Sequence, residues 1–153
     1  MNKVFKFLLL IILFLAPNVF AIEKGTWSFI KEENWCYIGS IPIKEEGKYK
    51  QRGDTYVIVY KINNNPESTV QVNAGYNYQE EKPVELIIDN TKFSLFSQGD
   101  SAWSSNQDKK IISAMINGKQ MTIKGYSFKG TLTTDTYTLI GFTSAYNKLN
   151  KDC

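Results

Sequence analysis

The side chains that most often carry enzyme chemistry are scarce in this sequence of 153 residues. It contains no histidine, which excludes Ser-His-Asp and Cys-His nucleophile systems, histidine-ligated zinc and a histidine pH switch. Glycine-rich phosphate loops and calcium loops of the D-x-D-x-D-G type are also missing from the sequence. We therefore expect the protein to use no metal and no cofactor.

Two aspartates are the remaining candidates for acid–base chemistry. Asp100 and Asp135 both lie in polar segments, where a pair of carboxylates can serve as acid and base. An aspartate in a loop more often accepts hydrogen bonds from nearby backbone amides, and nothing in the sequence brings these two together. The pattern favours a protein that is not an enzyme.

Arg52 is the only arginine in the sequence, and it lies beside Gly53 and Asp54. A planar guanidinium is suited to bidentate bonds with a carboxylate or a ligand. We expect a structural pairing, for which Asp54 is the adjacent partner, and keep a ligand contact as the alternative.

Residues 1–21 have the three parts of a secretory signal. Two lysines form the positive start, Phe7 to Ala16 is apolar throughout, and small residues precede a cleavage point after Ala21. The apolar run is much shorter than the roughly twenty residues that a membrane span needs. We expect one exported domain over residues 22–153, with no transmembrane anchor after cleavage.

Removal of the leader also changes the charge balance. The full chain has a net charge of +3, and loss of Lys3 and Lys6 leaves 16 basic residues against 15 acidic ones. This near-neutral balance lacks the basic excess that is typical of nucleic-acid binding.

Export affects the interpretation of the two cysteines, Cys36 and Cys153. In an oxidising compartment, two cysteines in a small domain most simply pair with each other. A redox pair is more often spaced as C-x-x-C. We therefore predict a structural disulfide that ties the end of the chain to its first strand region.

Period-two alternation dominates the sequence after the leader and predicts six to eight short strands. The clearest patterns are Thr55 to Ile62, Val70 to Tyr76, Val84 to Ile88, Phe93 to Phe96, Met121 to Phe128 and Thr136 to Phe142. Many short strands with frequent turn signals favour an all-β domain, either a β-sandwich or a small barrel. Helical spacing predicts one helix over 108–117 and a short second helix over 143–149.

We predict an interaction surface from the loop Gly99 to Trp103 and a turn over Thr133 to Asp135. Its candidate residues are Asp100, Trp103, Thr134, Asp135 and Arg52. Several tyrosines at strand ends are either anchors for protein or carbohydrate partners or strand-end packing residues. These are Tyr37, Tyr49, Tyr76, Tyr78 and Tyr146.

A set of ordered motifs resembles the invasion-associated locus B (IalB) family of exported alphaproteobacterial proteins. The motifs are Cys36-Tyr37-Ile38-Gly39-Ser40, Glu46-Gly47-Lys48-Tyr49, Arg52-Gly53, Asn73-Ala74-Gly75-Tyr76, Gly99-Asp100-Ser101-Ala102-Trp103, Lys129-Gly130-Thr131, Thr134-Asp135-Thr136-Tyr137-Thr138-Leu139 and Gly141-Phe142-Thr143, ending at Cys153. They span nearly the whole chain after the leader, and the last block is the most distinctive.

The resemblance implies an immunoglobulin-like β-sandwich in the periplasm, with secretion or envelope association as alternatives. The resemblance implies no catalytic residues. The name of the family refers to members that support entry into host cells. We expect a binding protein whose partner is an unknown protein or envelope component. The alternatives are a carboxylate- or lysine-based envelope enzyme and a structural stress-response protein without a discrete ligand.

Overall fold

The computed structural model describes residues 23–153, so the expected leader lies outside the described residues. The described part of the chain forms strands β1 to β10, which are Ser28–Lys31, Trp35–Ser40, Lys44–Gly47, Tyr56–Ile62, Thr69–Asn73, Val84–Ile88, Thr91–Gln98, Ser101–Trp103, Gln120–Tyr126 and Leu132–Thr138. Two helices, α1 and α2, cover Asp108–Asn117 and Phe142–Asp152.

All ten strands belong to one antiparallel sheet with the order β1-β2-β4-β5-β8-β7-β6-β9-β10-β3. The sheet curls, and contacts join its two ends. The indole Nε1 of Trp27, just before β1, donates to the carbonyl oxygen of Thr138 in β10 at 2.9 Å. The backbone amide of Ile43, directly before β3, donates to the carbonyl oxygen of Thr136 at 2.8 Å and extends the pairing of β3 with β10.

Strand β7 joins two halves of the sheet. Its first part, through Leu95, pairs with β6, and its last part, from Phe96 to Gln98, pairs with β8. We call β1, β2, β4, β5, β8 and this last part of β7 the first half. The second half consists of β6, β9, β10, β3 and the first part of β7.

The inner face of the curled sheet carries the core. Alternate residues of the strands are almost completely buried there, including Ile38, Val59, Val72 and Leu86. Helix α2 packs on β1 and β2, and α1 packs on β5 and on α2. Both helices therefore cover the inner face, and neither α1 nor α2 lies on the outer face of the first half.

The disulfide between Cys36 and Cys153 is confirmed, with 5.8 Å between the two Cα atoms. It connects the fully buried Cys36 of β2 with the residue that follows α2. The bridge thereby holds the C-terminal helix against the first half of the sheet.

The predicted all-β class and the helix over 108–117 are confirmed. The strands form one continuous curled sheet, and the finer expectation of an immunoglobulin-like sandwich is not confirmed. The turn predicted over Thr133 to Asp135 is wrong, because these residues lie inside β10. Similarly, the loop predicted from Gly99 to Trp103 is a turn at Gly99 and Asp100 followed by strand β8.

Candidate functional site

A buried ion pair between Arg52 and Asp135 links the loop before β4 to the inner side of β10. The guanidinium Nη1 and Nη2 atoms donate to the two carboxylate oxygens of Asp135 at 2.7 and 2.5 Å. The side chains are only 10% and 3% exposed. Arg52 therefore makes the predicted structural pairing, but its partner is the distant Asp135 instead of the adjacent Asp54.

The backbone around Arg52 fixes the position of its side chain. The Nε atom of Arg52 donates to the carbonyl oxygen of Ala74 at 2.7 Å, and the amide of Gly53 donates to the carbonyl oxygen of Gly75 at 2.9 Å. The two backbones lie so close that a Cβ atom on Gly75 would stand 2.3 Å from the Gly53 oxygen. Gly75 also has a φ of +68°, so glycine is required here for steric and conformational reasons.

Aromatic side chains surround the ion pair. The guanidinium lies over the ring of Tyr76, with Cζ 5.1 Å from the ring centroid. Tyr49 stacks on Tyr76 at 5.2 Å, and Tyr78 meets Tyr76 edge-on at 5.3 Å. The hydroxyl groups of Tyr76 and Thr133 share a hydrogen bond of 2.7 Å. For Tyr76 and Tyr78, the burial of both side chains therefore favours packing over a role as exposed anchors.

Burial shifts the ionisation of this cluster. It raises the pKa of Tyr76 to about 12, against the opposing effects of the Thr133 hydrogen bond and the charge of Arg52. Burial also raises the pKa values of Tyr78 and Tyr137 well above their usual range, with a smaller contribution from Asp135 for each. All three tyrosines are consequently neutral at physiological pH.

The hydroxyl groups of Tyr78 and Tyr137 are buried and have no hydrogen-bond partner among the described residues. Leaving such a donor unsatisfied costs about 1–3 kcal/mol. In contrast, the guanidinium of Arg52 has partners at every nitrogen, namely Ala74, Asp135 and Thr133. The bonds of Arg52 are thus used within the protein, which fits a structural role for the ion pair.

A surface depression of about 260 Å³ lies next to Arg52. Its acidic lining residues, Glu45 and Glu46, are on edge strand β3 and have side chains that are nearly half exposed. Glu46 pairs with Lys44 at 2.8 Å, and Glu45 lies 3.8 Å from Arg52. Both acidic side chains in the depression therefore lie next to a cation. A catalytic pair instead requires two carboxylates that are free to exchange protons.

Replacing Arg52 by alanine is expected to destabilise the protein by about 3 kcal/mol, because Asp135 would stay buried without its partner. Urea unfolding at neutral pH measures this loss. Burial already raises the pKa of Asp135 against the hydrogen bonds and charge of Arg52, so the variant's carboxyl would titrate higher still. A raised folded-state pKa gives stability at low pH that is lost as the pH rises, and the defect should therefore shrink at acidic pH.

Arg52→Lys is the matched control, since it keeps the charge and loses the bidentate geometry. We expect it to fall between the wild type and Arg52→Ala. Equal stability of all three proteins at neutral pH would contradict the assigned role of the ion pair.

A second feature of the molecule is the outer surface of the first half, which is rich in aromatic and aliphatic side chains. We call it the aromatic face and define it as Ile30, Trp35, Tyr37, Tyr56, Ile58, Tyr60, Ile62, Phe96 and Trp103. These residues alternate along their strands with the inward-pointing core residues and therefore point outward, although Ile58 is itself only 6% exposed. Trp35 stacks on Tyr37 at 4.6 Å, and the rings of Phe96 and Trp103 lie 6.0 Å apart.

The strand register places these residues in rows across the sheet. One row runs through Ile58, Gln71, Trp103 and Phe96. Phe96 remains 51% exposed, whereas a phenylalanine is normally buried. Among the described strand residues that point outward in this half, none is charged.

The outer surface of the second half has the opposite character. A row of neighbouring residues there contains Glu46, Thr134, Lys124, Glu85 and Ser94. Glu85 also forms an ion pair with Lys92 of β7 at 2.9 Å. The outer face of one sheet thus changes along β7 from a charged surface at Lys92 to an aromatic one at Phe96.

Acidic residues lie at the rim of the aromatic face. Burial raises the pKa of Tyr37, and the charge of Glu32 adds to that rise. Burial likewise raises the pKa of Tyr56, with added effects of Asp100 and Asp54. The neighbouring charges that raise these two pKa values are thus those of acidic residues.

The five residues predicted as an interaction surface are divided among three places. Arg52 and Asp135 form the buried ion pair, and Thr134 points outward in the charged second half. Trp103 belongs to the aromatic face, and Asp100 lies exposed in the turn before it. A carboxylate oxygen of Asp100 accepts from the Ser101 hydroxyl at 3.0 Å, so Asp100 and Asp135 have different partners.

Several residues of the aromatic face were missed by sequence reasoning. Trp35, Tyr60 and Phe96 come from three separate strands, and only the strand order brings them to one surface. The sequence of β4 indicates this surface, because its outward-pointing positions, which are polar in most antiparallel strands, are all apolar or aromatic. These positions are Tyr56, Ile58, Tyr60 and Ile62.

The fold of this chain is a curled antiparallel sheet that is closed by a C-terminal helix and a disulfide. The family model described as "Invasion associated locus B (IalB) protein" matches residues 28–150. The chain therefore belongs to the invasion-associated locus B family. Among curated proteins, none matches the sequence significantly.

A solved structure, invasion associated protein b from Bartonella henselae, is similar in fold. It has a TM-score of 0.60 and 19% sequence identity, over 83% of this chain and 93% of that chain. Within residues 23–153, no helix is long and apolar enough to cross a membrane. The same residues contain no group of three or more histidine, cysteine or acidic side chains placed to hold a metal ion.

Proposed function

We propose that this protein is an exported envelope protein, in the periplasm, that acts by binding a partner through its aromatic face. The single observation that carries the proposal is the uncharged, aromatic outer surface of the first half. Exposed apolar surfaces of this kind are typical of interaction sites, and tryptophan and tyrosine are the residues most often found at binding hot spots.

Three further features support export and binding. Residues 1–21 resemble a secretory signal, and such signals direct secretion. The Cys36–Cys153 disulfide fits an oxidising compartment. The family name refers to invasion, so we propose that the bound partner supports envelope function, or host-cell invasion in pathogenic relatives. We also propose that this protein is not an enzyme, since Arg52 and Asp135, its most buried charged pair, bond to each other.

A photo-crosslinking amino acid placed at position 96 tests the proposal in intact cells that produce the protein. We expect Phe96 variants to give reproducible crosslinked products, because the partner covers this part of the aromatic face. Position 92 is the matched control, since it lies on the same strand and the same outer surface, within the charged half.

Products that form from position 96 but not from position 92 would support binding at the aromatic face. Equal products from both positions would contradict it. No reproducible product from either position would also contradict it, and would favour the alternative of a structural stress-response protein without a discrete ligand.

A further inference from the structure

We propose that the aromatic face binds an uncharged oligosaccharide chain. This inference rests on the proposed function and specifies the chemical class of the ligand. It depends on the charge, the side-chain chemistry and the dimensions of the face.

The charge of the face is the first reason. None of the described strand residues that point outward in the first half is charged, and the acidic residues Glu32, Asp54 and Asp100 lie in the segments that flank its strands. An anionic ligand would meet like charges here, and any ionic ligand would lose hydration without gaining a partner on the face. An uncharged ligand avoids both costs.

The mixture of ring faces and polar groups is the second reason. Gln71 lies between Ile58 and Trp103 in one row, and Thr69 lies beside Tyr60 in the next. The negatively polarised face of an aromatic ring attracts polarised C–H groups, which sugars present on their ring faces. The Gln71 amide nitrogen donates one hydrogen bond to the Ser101 hydroxyl at 3.3 Å, which leaves its second N–H and its carbonyl oxygen to bond sugar hydroxyls. The face therefore matches both chemical aspects of a sugar.

The dimensions of the face are the third reason. The rings from Tyr37 on β2 to Phe96 on β7 span four strand spacings, because β4, β5 and β8 lie between those strands. With about 4.8 Å per spacing, the face is about 19 Å wide. This width favours a chain of several sugars over a single sugar.

The test measures binding of three neutral hexasaccharides to the purified domain by calorimetry, with intrinsic fluorescence as a second readout. The probes are the β-1,4-linked oligomers of N-acetylglucosamine and of glucose, and the α-1,4-linked oligomer of glucose. Trp35 and Trp103 lie on the face and are partly exposed, whereas Trp27 is buried, so binding should change the fluorescence of Trp35 and Trp103. We expect at least one hexasaccharide to bind, and its disaccharide to bind at least about tenfold more weakly.

Two substitutions on the face should weaken this binding by about tenfold each, the scale of a 1.4 kcal/mol contact. Phe96→Ala removes a ring that is half exposed, so the fold should survive, and Gln71→Glu introduces a charge into the middle of the row. Thr122→Ala on the outer surface of the second half is the matched control and should bind as the wild type does. Heparin, an anionic polysaccharide, should bind more weakly than the neutral probe.

Failure of all three neutral probes to bind, or unchanged binding by both face variants, would overturn the oligosaccharide inference. If position 96 still crosslinks a protein in cells, or if the face mediates self-association in solution, the ligand class is wrong and binding at the face stands. If position 96 also gives no specific crosslink, the proposed function fails as well.

Discussion

Raising the pH to about 11 is expected to destabilise the protein by about 4 kcal/mol, because three buried tyrosines ionise much less readily in the folded state than in the unfolded chain. In the unfolded chain, a tyrosine loses its proton near pH 10. Burial raises the pKa of Tyr76 to about 12 and those of Tyr78 and Tyr137 further. Each tyrosine therefore costs about 1.4 kcal/mol of stability for one pH unit above 10.

The sign of this dependence follows from proton linkage. A folded-state pKa above the unfolded value gives stability that is complete below pH 10, and this stability is lost as the pH rises toward the folded pKa. Tyrosinate absorbance and far-ultraviolet circular dichroism, recorded together against pH, measure the effect. We expect part of the tyrosine absorbance to appear only together with unfolding.

Tyr137→Phe is the control for this prediction. Its hydroxyl has no hydrogen-bond partner among the described residues, so its removal should leave the neutral-pH stability unchanged or increase it by about 1–2 kcal/mol. It should also raise the pH of alkaline unfolding. By contrast, Tyr76→Phe loses the bond to Thr133 and should be less stable at neutral pH. An unchanged alkaline transition in Tyr137→Phe would contradict the prediction.

Loss of the Cys36–Cys153 disulfide is expected to lower the free energy of unfolding by up to about 4–5 kcal/mol. The two cysteines are 117 residues apart, and a crosslink over so long a segment removes much of the conformational freedom of the unfolded chain. Chemical unfolding of the oxidised protein and of Cys153→Ser measures the loss.

Reduction of the wild type by a thiol reagent is the control, because it opens the same bridge without changing a side chain. We expect the reduced protein and Cys153→Ser to have similar stability. Equal stability of the oxidised and reduced proteins would contradict the predicted contribution. Two free thiols in protein taken from the producing cells would contradict both the bridge and export to an oxidising compartment.

Much of the fold was predictable wherever apolar residues alternate with polar ones. Strand β6 and helix α1 have the bounds that their patterns predict, Val84–Ile88 and Asp108–Asn117. Strand β10 was misplaced because its buried positions include the polar residues Thr133 and Asp135. Asp135 can be buried because Arg52 supplies a charged partner from a distant loop, and Thr133 shares a hydrogen bond with Tyr76.

Edge strand β3 was missed for a different reason. All four of its residues are exposed, and three of them are charged, so no hydrophobic pattern marks it. Its strand conformation comes from backbone pairing with β10. Charged residues are common on edge strands because they discourage pairing with other chains.

The candidate site was less predictable than the fold. Trp103 was selected from the sequence, but its neighbours Phe96 and Gln71 come from strands that are far apart in the chain. A surface of this kind depends on strand order, which local patterns do not determine. The Arg52–Asp135 pair has the same origin, since its two residues are 83 positions apart.

Binding through the aromatic face is tested most directly by hydroxyl-radical footprinting, which compares side-chain accessibility in producing cells with that in the purified protein. We expect Phe96 and Trp103 to be oxidised in the purified protein and protected in cells, since a partner would cover the aromatic face. Phe128 and Ile140 are 62% and 80% exposed and lie outside this face, so their oxidation should be the same in both samples. Equal oxidation of Phe96 and Trp103 in cells and in the purified protein would contradict binding through the aromatic face.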